Sequence, residues 1–109
     1  MAQNYKVLGQ IAPAATTATA IYTVPSATEA VVSSIAVCER GGSSATFRLA
    51  VRPDGASLAN QHYLVYDASL AANDTIILTI GVTMDATDIL EAYASSGDMT
   101  FHAYGSEIT

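Results

Sequence analysis

The sequence predicts an all-β fold, a single antiparallel β-sandwich of two sheets. Three observations carry that expectation. Apolar residues recur with a period of two rather than 3.6, Gly, Pro, Asn, Asp and Ser interrupt them about every ten residues, and almost no segment has the spacing of an amphipathic helix. With 109 residues there is room for one two-layer core, so residues 1–109 read as one domain.

About eight strands are expected. Residues 4–10 form the first, or else residues 1–10 serve as an N-terminal arm. Residues 16–24 form the second, where alternating Thr, Ala, Ile and Tyr suit a half-buried pleat closed by Pro25. The third spans residues 29–39 and is apolar or small on both faces, with Val31, Ser33, Ile35 and Val37 on one and Val32, Ser34, Ala36 and Cys38 on the other. That pattern suits a central strand covered on both sides.

Arg40, Gly41, Gly42 and Ser43 supply a hairpin turn into residues 44–51, where Ala45, Phe47, Leu49 and Val51 face inward. Thr46, Arg48, Ala50 and Arg52 then share the outer row, which sets two arginines toward solvent or a partner. Pro53, Asp54 and Gly55 form a turn, because proline presets φ and glycine accepts a positive one. Residues 61–66 are the fifth strand and residues 75–84 the sixth, with Ile76, Leu78, Ile80 and Val82 as a second core face. Residues 89–94, a hairpin connection at 95–98 and residues 99–104 complete the set, and residues 105–109 are expected as a frayed or contact-making tail. A jelly roll is the common eight-stranded arrangement that protects its edges.

Composition narrows the function. Residues are 50% hydrophobic and only 13% charged, so Ala, Ser and Thr must fill much of the surface, which suits flat contact surfaces in an assembly. Ten acids against four bases give a net charge of −6, and Lys6, Arg40, Arg48 and Arg52 form no run. Nucleic acid and anionic membranes are therefore not expected partners. The single Cys38, in an apolar stretch, reads as a buried inert thiol, and the absence of an apolar leader or an ~18-residue apolar run leads us to expect folding in a reducing cytoplasm.

No catalytic, cofactor-binding or metal site is assigned. The only bases of the histidine type, His62 and His102, lie in strands with no marked serine nucleophile beside them, and structural roles suit both better. Zinc lacks clustered Cys and His, and Asp67, Asp74, Asp85 and Asp88 do not match calcium-loop spacing. Glu91 with Asp67 or Asp98 would be the carboxylate pair for glycoside hydrolysis, but no sugar-stacking tryptophan accompanies it. Gly41 and Gly42 are a turn pair and not a phosphate loop. The six tyrosines, Tyr5, Tyr22, Tyr63, Tyr66, Tyr93 and Tyr104, are the side chains best suited to a binding surface, although strand packing explains them as well.

Three stretches carry a resemblance: Tyr22-Thr23-Val24-Pro25, then Thr28 through Cys38, then Ala45 through Val51. Asn60-Gln61-His62-Tyr63-Leu64 and Ala71-Ala72-Asn73-Asp74-Thr75 extend it. In this order they resemble the β-module of small virion structural proteins of tailed bacteriophages. The resemblance implies a capsid decoration or cement protein, located in the virion and made in the host cytoplasm, whose partners are the major capsid protein or other virion proteins. A homo-oligomer is expected, by analogy a trimer. The alternative is a tail or fibre component, or a receptor- or glycan-binding module, and no heptad shaft is present to support a fibre. Tyr5 and Val7 would anchor an N-terminal arm that adds a strand to a neighbour's sheet, and Arg48 and Arg52 complete the expected partner interface.

Overall fold

The computed structural model describes residues 2–109 and shows the expected sandwich. Its eight strands are β1 (Gln3–Ile11), β2 (Thr19–Thr23), β3 (Glu29–Glu39), β4 (Ala45–Arg52), β5 (Tyr63–Leu70), β6 (Thr75–Met84), β7 (Ile89–Ala94) and β8 (Met99–Ile108). They form two four-stranded sheets ordered β1-β8-β3-β6 and β2-β7-β4-β5, with every neighbour antiparallel. This interleaved order is the winding of a jelly roll.

The order corrects two expected hairpins. The turns at residues 40–43 and 95–98 lead from β3 to β4 and from β7 to β8, so each carries the chain across from one sheet to the other. Only β4 and β5 are consecutive strands that also pair. Neither Gly41, Gly42 nor Gly97 has a positive φ, whereas Asp54 and Gly55 do, at 54° and 68°.

The inner faces meet in one core containing Val32, Ile35, Val37, Phe47, Leu49, Leu90, Met99 and Phe101, all essentially sealed from solvent. Phe47 and Phe101 pack edge to face at its centre, with centroids 6.1 Å apart. In β4 the alternation holds as expected from Ala45 to Leu49, after which Ala50 is buried and Val51 half-buried. In β3 it does not, because a bulge at Ser33 shifts the register and brings Val32 and Ile35 to the same inner face. The outer face of β3 is therefore only partly covered, and Cys38 lies on it, half-buried rather than sealed in the core.

The sixth strand needs a similar correction. Leu78, Ile80 and Val82 do pack on the core, but β6 is a sheet edge, so this row is half-buried and Ile76 is exposed. At the second strand, Thr16 turns with φ 55° and donates its N–H to Ala94, which delays β2 until Thr19.

The N-terminal segment is the first strand of its own sandwich, paired along β8, and is not a free arm. Two glycines allow this edge to close. A Cβ on Gly9 would fall on the Ile21 carbonyl of β2, and one on Gly105 would fall on the Val31 carbonyl of β3. The expected tail is also revised, since β8 continues to Ile108 with Ser106 and Glu107 buried.

Glu107 can be buried because its charge is answered. The Lys6 ammonium lies 2.7 Å from one carboxylate oxygen, and the Tyr22 hydroxyl donates to the other at 2.5 Å. Lys6 foremost, and then Tyr22, hold the Glu107 carboxyl below the usual carboxylate range, while burial and Glu107 together raise the Tyr22 phenol. A depressed folded-state pKa contributes stability that is complete above the unfolded value of about 4.3 and is lost as pH falls through the folded one. Acid unfolding curves should therefore show a stability decline below about pH 4 that is flatter in Glu107→Gln, with the variant less stable at neutral pH.

Candidate functional site

The two outer faces differ in chemistry. On the sheet β1-β8-β3-β6, cross-strand register aligns Val7, Tyr104 and Ser34, then Gln10, His102, Ala36 and Ile77, then Thr100, Cys38 and Thr75. Tyr5, Ser106, Val31 and Thr83 extend the same face toward Glu29. None of these residues is Asp, Glu, Lys or Arg. These rows carry no charged side chain on a chain whose net charge is −6, and toward Tyr5 they are hollowed by a pocket of about 480 Å³ that Lys6 borders beside Tyr104 and Ser106. Tyr5, at 80% exposure, and Ile77, at 65%, protrude at the two edges of the face, and Val7 is exposed as well.

The other face, on β2-β7-β4-β5, is organised by Arg48. Bulges in β5 set Tyr66 and Asp67 together opposite Arg48, with Asp67 at a positive φ of 54°. The Asp67 carboxylate accepts from Arg48 Nε at 2.6 Å and Nη2 at 3.3 Å. The guanidinium carbon stands 4.2 Å from the Tyr66 ring centroid and 4.4 Å from that of Tyr93, its neighbour on β7. Tyr63 meets Tyr66 edge on at 4.8 Å. The hydrogen bond to Asp67 is the main reason the guanidinium holds its proton even more firmly than usual.

One row along, Arg52 Nε donates to Glu91 at 2.7 Å, and its Nη1 donates to the carbonyls of Gly55 and Ala56. Beside Arg48 and Glu91 lies an open pocket of about 270 Å³, lined further by Thr16, Ala18, Ala50, Leu58, Tyr63, Ala92 and Tyr93.

All four residues of the expected interface are thus on outer surfaces, but the structure does not bring them together. Tyr5 and Val7 stand on the uncharged face, and Arg48 and Arg52 on the opposite one, each arginine engaged by a carboxylate. Three of the six tyrosines cluster around Arg48. The sequence signal for that cluster is the outward arginine row of β4. Its completion by Asp67 was hidden because the fifth strand was expected to end at Tyr66.

The remaining polar groups bond to backbone amides or to neighbouring side chains. His62 Nδ1 accepts from the Ala59 N–H, and His102 shares its Nδ1 with Gln10 and the Tyr104 hydroxyl. Asp88 accepts from the Asp54 and Asp85 amides, while Asp74 and Asp85 cap the residues that follow them. Glu39, only 1% exposed, receives Ser96 and the Gly41 amide. Among the described residues no group of His, Cys, Asp and Glu has a metal-holding arrangement, and no helix is long and apolar enough to cross a membrane. No protein-family model and no curated protein matches the sequence.

Proposed function

We propose that this protein is a non-catalytic structural component of a tailed-phage virion, a decoration or cement protein that seats on the outside of the capsid shell. The observation that carries the reading is the uncharged outer face of β1-β8-β3-β6 on an otherwise acidic molecule. Bringing charged groups against a partner costs desolvation, and rows of Ser, Thr, Ala, Val, Ile and Tyr, with Gln10, Cys38 and His102 but no Asp, Glu, Lys or Arg, lower that cost. At a strand spacing of about 4.8 Å and a rise of about 3.3 Å per residue, this face spans about 500 Å², below the roughly 800 Å² per partner of a standard interface. Each contact is accordingly weak, and many copies stabilise a shell by mass action on the assembled state. The major capsid protein is the partner, with copies grouped as an oligomer, a trimer by analogy.

A second reading, a receptor-binding module of a tail or fibre, draws on the aromatic and carboxylate groups gathered around Arg48.

Co-sedimentation with phage shells assembled without the protein tests the first reading, alongside light-scattering mass of the free protein. Stoichiometric rebinding and shells that survive more heat are expected. Ala36→Glu, which places a charge at the middle of the uncharged face, should lower occupancy about tenfold or more while leaving the circular dichroism spectrum unchanged. A folded protein that never sediments with shells overturns the assignment.

A further inference from the structure

We infer that the pocket beside Arg48 and Glu91 on the β2-β7-β4-β5 face binds one neutral sugar ring. The site lies on the face opposite the one assigned to shell docking, and it holds whether or not that face meets a shell.

Charge is the first argument. Arg48 and Glu91 are the charged groups that line the pocket, and each is held in a close pair with a group beyond the lining, Asp67 at 2.6 Å and Arg52 at 2.7 Å, so the local charge sums to zero. An anion would find both guanidiniums already answered, within a protein of net charge −6. A cation would meet the Arg48 guanidinium. A neutral ligand leaves both pairs intact.

Hydrogen-bonding capacity is the second. The pairs use Arg48 Nε and Nη2 and one oxygen of Glu91, Oε1. Arg48 Nη1, Glu91 Oε2 and the hydroxyls of Tyr63 and Tyr93 have no hydrogen-bond partner among the described residues. These donors and acceptors belong to side chains that line one small space, which matches a polyol, whose every hydroxyl both donates and accepts. Tyr63, Tyr93 and Leu58 give the pocket apolar walls, on which the C–H face of a pyranose can lie.

Size and rigidity complete the case. About 270 Å³ falls just under the roughly 300–1,000 Å³ of sites for drug-sized ligands, room for a single ring and not for an extended chain. The stack of Tyr66, Arg48 and Tyr93 fixes one wall before any ligand arrives, which lowers the ordering cost of binding.

The test is an amide chemical-shift titration of the intact protein with uncharged methyl pyranosides of glucose, galactose, mannose and N-acetylglucosamine. At least one should give saturable shifts confined to residues around 48, 63, 91 and 93, with a dissociation constant on the order of millimolar. Nuclear Overhauser contacts from its ring C–H protons to Tyr63 or Tyr93 should appear in the unmodified protein, so the result does not depend on a variant folding. Tyr63→Ala should weaken binding about tenfold or more. The inference is overturned if no pyranoside gives saturable shifts, if the shifts map to the uncharged face, or if Tyr63→Ala folds and binds equally well.

Discussion

Gly105→Ala is expected to destabilise the protein by about 3 kcal/mol or more, a large effect for the addition of one methyl group. Gly105 pairs with Val32 of β3 on one side and Lys6 of β1 on the other, at the bulge where β3 changes phase. An added Cβ would land on the Val31 carbonyl, which belongs to the backbone of a central strand and cannot turn aside as a side chain could. Relief requires β8 and β3 to separate, and that would also disturb Glu107, two residues on, and its bonds to Lys6 and Tyr22. Urea unfolding reads the effect directly. With a slope of roughly 1–1.5 kcal/mol/M for a chain of this size, the midpoint should fall by about 2–3 M. An unchanged midpoint would show that the strands yield at little cost.

Phe101→Ala should cost about 3–5 kcal/mol. Its ring is fully buried and meets Phe47 across the sandwich, so removal leaves a void that both sheets border and neither strand can fill without losing its pairing. Against a total stability of about 5–15 kcal/mol, this brings the domain near unfolding at physiological temperature. Differential scanning calorimetry should show a midpoint lowered by about 15–30 °C. Phe101→Leu, which keeps most of the volume, should recover more than half of the loss.

Where the backbone pairs regularly, the sequence was a faithful guide. The inward Ala45, Phe47 and Leu49 and the outward Thr46, Arg48 and Arg52 follow from a period of two alone, whereas Ala50, expected outside, is buried and Val51, expected inside, is half-buried. Bulges defeat that reasoning because they insert one residue that no side-chain pattern announces. In β3 the apolar residues on both sides of Ser33 look equally suited to either face, and only the partners β6 and β8 decide between them. In β5 the same device gathers Tyr66 and Asp67 on Arg48, so the feature that shapes the pocket was not legible although its tyrosines and arginine were. Sheet order was illegible for a different reason. The turns at residues 40–43 and 95–98 have hairpin composition, yet they cross between sheets because each sheet must cover the other's apolar face. The burial of residues 106 and 107 was likewise hidden, since Glu107 depends on Lys6, a hundred positions earlier in the chain, for its neutralising charge.

The position of β8 between β1 and β3 also sets a timetable. On a ribosome the eighth of these strands to emerge is an inner member of its sheet, so β1 waits for its in-sheet neighbour until residues 99–108 have been made. Of all the pairings, only β4 with β5 joins neighbours in sequence and can close early. Until residues 99–108 emerge, β1 and one edge of β3 therefore stay unpaired, although β3 with β6 and the whole β2-β7-β4-β5 sheet can already form. Abundant production of such a protein depends as much on shielding that interval as on the stability of the finished fold.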